Sequence, residues 1–294
     1  MTALPTGCIV PLITPMLSAG ELDLRGLGGL IRNVTGAGAA GVLVAGPVGE
    51  GPLLAPADRR ALTIAAKETS EEAGGPVLVG VSGATLEDLH ADVDRIAGAG
   101  ADAVVVQAPG AVALRGEELV ALHLAVADRA EVPTVLGYDP RTTTSPIVGD
   151  AMTRLAAHDR VLGVVDLGGD AEQRRAFLSA AGTGFSVLAA HTPTLLDALA
   201  AGISGAVLGI ANLRTDQLVD LLTASDADDA TAAARLHASL VACEDGLRAS
   251  GRSMPAALKA ALQLEGLIDE RWCGSPLESV PPNRLDRIRT ALLR

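Results

Sequence analysis

Short apolar runs recur along the first 225 residues, each followed by a polar loop and then by a longer stretch where apolar residues return every three or four positions between charges. The short runs suit buried strands, and the longer spacing suits amphipathic helices. Runs begin near Cys8, Gly41, Pro76, Asp102, Pro133, Val161, Phe185 and Ser204, with helical spacing over 56–73, 86–99, 116–129 and 170–181. Pro56 fits the first turn of its helix, where no amide hydrogen is needed. Strands alternating with helices pair in parallel, and eight such units predict a (β/α)8 TIM barrel over residues 1–225. Residues 226–294 read as a C-terminal helical extension containing AALKAALQLEGL and LDRIRTALLR, packed on the barrel as one structural unit.

Glycine-rich turns belong to this repeat. The segment GAGAAG at 36–41 matches GxGxxG in letters, but it follows a helix and precedes a strand, the reverse of the dinucleotide-binding order. It reads as a helix C-cap and tight turn. AGAGADAVVV and AAGISGAVLG repeat the pattern, and neither lysine follows a glycine-rich loop as a P-loop requires.

The net charge of −12 argues against a nucleic-acid partner, which needs basic clusters to neutralise phosphates. No apolar run approaches the roughly 20 residues of a membrane span. The start, MTALPTG, lacks the basic-then-apolar order of a secretory signal, so a soluble cytoplasmic protein is expected. Cys8, Cys243 and Cys273 lack metal-ligand or CxxC spacing and read as buried thiols, and the five histidines form no HExxH pair. No cofactor or metal is expected. Only Lys67 and Lys259 are lysines, and Tyr138 is the lone tyrosine.

In a barrel of this class chemistry sits at the C-terminal ends of the strands. Those ends carry Thr14, Glu50, Gln107, Tyr138, Asp139, Arg141, Asp166, Asp170, His191 and Asn212. Each has a plain reading beside a chemical one. Tyr138 is a half-buried tyrosine bonded to a loop carbonyl, or an acid/base. Glu50 ties down loop amides after a tight turn, or lines a site. Asp166 caps the next helix, or works beside the end of the sixth strand. His191 is a solvated loop histidine, or a general acid or base whose ordinary pKa suits that task. Asp166, His191 and Glu50 together are also types that hold a divalent cation.

In this order the loops resemble the dihydrodipicolinate synthase and N-acetylneuraminate lyase family of Schiff-base aldolases. GCIVPLITPM is similar to its first strand, AGPVGEGPLL to its GTTGE segment, LGYDP to the strand carrying its catalytic tyrosine, and GVVDLGGD to its GIKEASGD. LAAGISGAVLGIANL resembles its seventh helix and eighth strand. The resemblance implies a homodimer or homotetramer, a keto acid as ligand, and an imine formed on a lysine. It places Val165 at that lysine, Pro47 and Val48 at the paired threonines that hold the carboxylate, and Gly110 and Ala111 at a tyrosine pair. Tyr138, Asp166 and His191 become the catalytic candidates, with Pro47, Val48, Glu50, Arg141, Val165 and Gly209 around the substrate. Two functions follow. One is a member without aldolase chemistry that binds a small ligand or a partner, including an active paralogue. The other is a divergent lyase working through Tyr138, Asp166 and His191 without an imine.

Overall fold

A computed structural model of the chain describes residues 3–110, 112–182 and 184–293. Strands β1 (Gly7–Pro11), β2 (Gly41–Val44), β3 (Val77–Val81), β4 (Ala103–Gln107), β5 (Thr134–Tyr138), β6 (Val161–Asp166), β7 (Ser186–Ala189) and β8 (Gly205–Ala206) form a closed ring. Every pairing in the ring is parallel, including β8 with β1. The chain is therefore a (β/α)8 TIM barrel.

Helices α1 (Leu24–Gly36), α2 (Pro56–Ala73), α3 (Leu86–Ala97), α4 (Gly116–Arg129), α5 (Gly149–Ala156), α6 (Ala171–Ala180), α7 (Leu195–Ala200) and α8 (Ala211–Asp226) follow the strands. Their starts obey local chemistry. Pro56 opens α2, Thr85 and Asp88 form a reciprocal capping box on α3, and Asp170 accepts the amides of Glu172 and Gln173 at α6. The helix cap is thus Asp170 rather than Asp166. After GAGAAG begins at the end of α1, Gly38 takes a φ of +93° as the chain turns into β2.

The tail comprises α9 (Ala230–Arg248), α10 (Met254–Leu264) and α11 (Leu285–Leu292). Helix α9 lies on α8 and α11, and α10 touches α8, α9 and α11. The kink in α8 at Arg214 turns its guanidinium to Glu265 (2.9 Å) and the Leu292 carbonyl (3.0 Å), binding three helices together. A small antiparallel hairpin, Met16–Ser18 with Glu21–Leu22, sits between β1 and α1. Its strands are too short to show an alternation in the sequence. Among the described residues no helix is long and apolar enough to cross a membrane.

One buried cluster draws Ile9, Leu43, Leu78, Val105, Val135, Leu162, Val165 and Leu188 from seven strands, with Val207 just beyond β8. Only the barrel interior is shared in this way. The alternate side chains, such as Val10, Val44, Val79, Val106, Leu136 and Val164, face the helices.

The phase of β6 is set by an irregularity. Thr134 pairs with Val161 but the next residue, Val135, pairs with Gly163, so Leu162 is an extra residue. Gly163 adopts a φ of +152°, and a Cβ there would lie 2.0 Å from the Ser186 carbonyl oxygen. Glycine alone fits. Beyond this bulge every side chain changes face, so Val165 points inward and Asp166 outward.

Candidate functional site

The loop after β2 is the most constrained part of the barrel mouth. Ala45 and Glu50 both have left-handed backbone, with φ of 52° and 60°. The loop folds back so tightly that a Cβ on Gly51 would fall 1.6 Å from the Ala45 carbonyl oxygen. Thr14 donates to the Gly49 carbonyl (2.6 Å), and the buried Arg59 donates to the carbonyls of Gly51 (3.1 Å) and Leu54 (2.6 Å). Arg59 is held in turn by Asp92 (2.9 Å), which also receives Arg95 (2.8 Å).

Glu50 faces away from the mouth. One carboxylate oxygen accepts the Gly274 amide at 2.6 Å, and the other lies 2.5 Å from the Lys259 ammonium. Lys259 also donates to the Trp272 carbonyl at 2.6 Å, and both charged side chains are fully buried. Both Glu50 oxygens are therefore occupied, which removes it from any cation site with Asp166 and His191. The plain reading of Glu50 as a loop tie describes its position. Its lysine partner was legible in part, because a lone charge in the apolar run AALKAAL calls for a buried counter-charge. Lys67 is on the outer ring, paired with Asp102 at 2.8 Å. Asn212 is equally committed, accepting the Ile13 amide (3.0 Å) and donating to the carbonyls of Pro11 (2.8 Å) and Gly209 (2.9 Å).

Tyr138 lies outside the barrel interior. Gly137 pairs with Val165 and both face inward, whereas Tyr138 pairs with Asp166 and both face outward. The tyrosine ring meets Phe177 of α6 edge-on, with centroids 5.3 Å apart. Burial, then the charges of Asp166, Asp170 and Asp139, push its hydroxyl above the usual tyrosine pKa. Asp166 accepts the amides of Gly168 (2.9 Å) and Gly169 (3.4 Å), yet burial prevails and holds its carboxyl above the ordinary range. His191 bonds Thr194 through Nδ1 at 3.0 Å and packs against Gly169, where a Cβ would come within 2.6 Å of the ring. Tyr138, Asp166 and His191 thus gather around the β6–α6 loop, on the helix side of the strand ends. Among the described residues no group of three or more His, Cys, Asp or Glu side chains could hold a metal ion.

The pocket at the mouth opens toward β2–β5. It encloses about 660 Å³, a size suited to a small molecule, between Pro47, Leu54, Ser82, Gln107, Gly137 and Arg141. Gly137 was not anticipated as a mouth residue. A Cβ there would sit 3.2 Å from the Val106 carbonyl oxygen and 3.3 Å from Gln107 Cγ, so glycine leaves room beside Gln107, which also lines the pocket. Arg141 does not reach inward. It grips Asp139 through Nε (2.9 Å) and Nη2 (2.6 Å), and its side chain is 77% exposed. Burial alone would raise the pKa of Asp139, but these bonds and the arginine charge bring it below the ordinary value. Val48 packs near Gly209 and Leu258, where the tail helix α10 reaches the mouth. Val165 is buried in the interior cluster with Leu162 and Leu188. Gly110 borders the pocket, while Ala111 lies outside the described residues.

The model of the dihydrodipicolinate synthetase family matches residues 4–293. The chain belongs to that family. Among its relatives is 4-hydroxy-tetrahydrodipicolinate synthase 1 of Streptomyces coelicolor, 31% identical over 259 residues, or 87% of this chain and 83% of the relative. Dihydrodipicolinate synthase from Bacteroides thetaiotaomicron superimposes with a TM-score of 0.92 at 24% identity, covering 100% of this chain and 99% of the other. A prophage protein of the family from E. coli K12, solved with pyruvate, gives 0.89 at 26% identity, covering 99% and 98%. The family fold is retained nearly end to end.

Proposed function

We propose that this chain is a dihydrodipicolinate synthase-like protein that does not perform imine-based aldolase chemistry and instead binds a small molecule at the barrel mouth. The observation that carries the reading is Val165. It stands where the family resemblance puts the imine-forming lysine, facing inward among Leu162 and Leu188. An imine requires a primary amine within reach of the carbonyl. The two lysine amines are engaged elsewhere, Lys67 with Asp102 on the outer ring and Lys259 with Glu50 behind the mouth loop. Pro47 and Val48, where the family has threonines, offer no hydroxyl to a carboxylate. Pro47 also lacks an amide hydrogen. Assembly as a homodimer or homotetramer, or with an active paralogue, is part of the same reading.

Incubation with pyruvate and borohydride tests this proposal. No mass adduct is expected on the folded protein, and a stoichiometric adduct on Lys67 or Lys259 would overturn it.

A second reading, a lyase without an imine, draws on Asp166 and His191 meeting at Gly169, with Tyr138 paired beside Asp166. It expects turnover of a hydroxy or keto acid that His191→Ala abolishes while leaving the melting temperature in place. Turnover that survives His191→Ala would remove it.

A further inference from the structure

The lining of the mouth pocket points to the chemical class of its ligand. Three arginines and three aspartates line it, and their charges cancel. Asp92 takes both Arg59 and Arg95, Asp139 takes Arg141, and Asp88 is engaged by the cap of α3. Arg59 also donates to two loop carbonyls. None of these acids is left over to meet a ligand's cation, and each arginine already faces a carboxylate.

At the inner end of the pocket, Pro47, Ser82, Gln107 and Gly137 come from the ends of β2–β5 or the residues just beyond them, while Val165 belongs to the interior cluster. The Gln107 side chain falls on the inner face by the alternation of β4, after inward Ala103 and Val105 and outward Val104 and Val106, and it lines the pocket. Its amide offers two donors and one acceptor. A carboxylate placed there would lose its hydration without gaining a cation, which is costly, and would approach a molecule of net charge −12. An uncharged ligand carrying a carboxamide or a similar donor–acceptor pair would meet Gln107 reciprocally and lay its apolar body on Pro47 and Leu54.

We infer that the mouth of this protein binds an uncharged small molecule with an amide-like head, recognised by Gln107, rather than a keto acid. The inference rests on the proposal that the mouth is a ligand site, and it replaces the family's anionic ligand with a neutral one.

The test uses matched probes that differ only in carboxamide against carboxylate: phenylacetamide against phenylacetate, and pyruvamide against pyruvate. Thermal shift and saturation-transfer NMR are run on the unmodified protein and on Gln107→Leu and Gln107→Glu. The expected result is at least a tenfold preference for at least one amide over its acid, lost in both variants. Two variants are used so that a folding defect in one does not decide the outcome. Equal or tighter binding of the acids would overturn the inference, as would absence of binding by every probe or amide binding that survives both substitutions. The borohydride experiment reads the imine question separately, so failure here and failure of the proposed function are distinguishable.

Discussion

Gly163 controls which side chains of β6 reach the barrel interior. Without its bulge, alternation from Leu162 would carry Val164 and Asp166 inward; with it, Val165 takes the inner face beside Gly137, and Asp166 joins Tyr138 outside. Val165→Lys would therefore direct an amine into the mouth, where burial lowers a lysine's pKa toward the nucleophilic range. An amine alone does not position a keto acid, and orientation supplies a large part of the barrier reduction in such reactions. Pro47 and Val48 provide no hydroxyl, and Gly137 provides no side chain at all. The expected outcome is a folded protein of reduced stability, at most weakly trapped by pyruvate and borohydride, with no synthase or lyase turnover. Steady-state assays that found turnover at the level of an ordinary relative would mean that the lysine was the only missing part.

Between elements, two buried polar links invite measurement. The first joins the β2 loop to the tail through Glu50, Lys259 and Gly274. Removing one member of a buried ion pair strands the other charge, at about 3–5 kcal/mol, whereas replacing both is far milder. Lys259→Met should therefore lower the free energy of urea unfolding by about that amount, and Glu50→Gln with Lys259→Met by less. A double variant as unstable as the single one would count against the clamp. The second link joins α4 to β5, where His123 is fully buried against the Thr134 hydroxyl at 3.1 Å. Burial, with a smaller push from His158, lowers its pKa to about 3. An unfolded histidine titrates near 6.5, so acid favours the unfolded chain: the stability is complete above pH 6.5 and falls by roughly 1.4 kcal/mol per pH unit on the way toward the folded value. His123→Gln should flatten the decline of urea midpoints between about pH 6 and pH 4. An unchanged slope would show that His123 does not govern it.

For the whole molecule, the connections that follow β2, β3, β4 and β5 carry exposed Leu53, Leu86, Val112 and Val148, Leu86 as the first residue of α3. Exposed apolar side chains on four successive connections are candidates for burial by a symmetric oligomer. Sedimentation at micromolar concentration is expected to give a dimer or a tetramer, and Leu53→Lys with Val112→Asp to shift it toward monomer. A monomer throughout would remove the assembly from the proposal.

The sequence by itself determined the repeating architecture, because strand and helix periodicities are local properties of ten to twenty residues. Strands begin within one residue of the apolar runs from Cys8 to Ser204, and α2 and α4 span the stretches of helical spacing read for them. The place of Val165 near the end of the sixth strand was likewise open to reading, since a barrel puts the end of each strand at one known rim. Tertiary structure alone decided the facing of Tyr138 and Asp166, because a single extra residue opposite Thr134 and Val135 reverses every later side chain of β6, and the pairing that reveals it lies in another strand. It also decided the fate of Glu50, whose partner amide is 224 residues away in the chain. Contacts across that distance leave no periodic trace. They are fixed only when the closed barrel and its tail bring the two segments into one buried volume, where an unpaired charge would be too costly to keep.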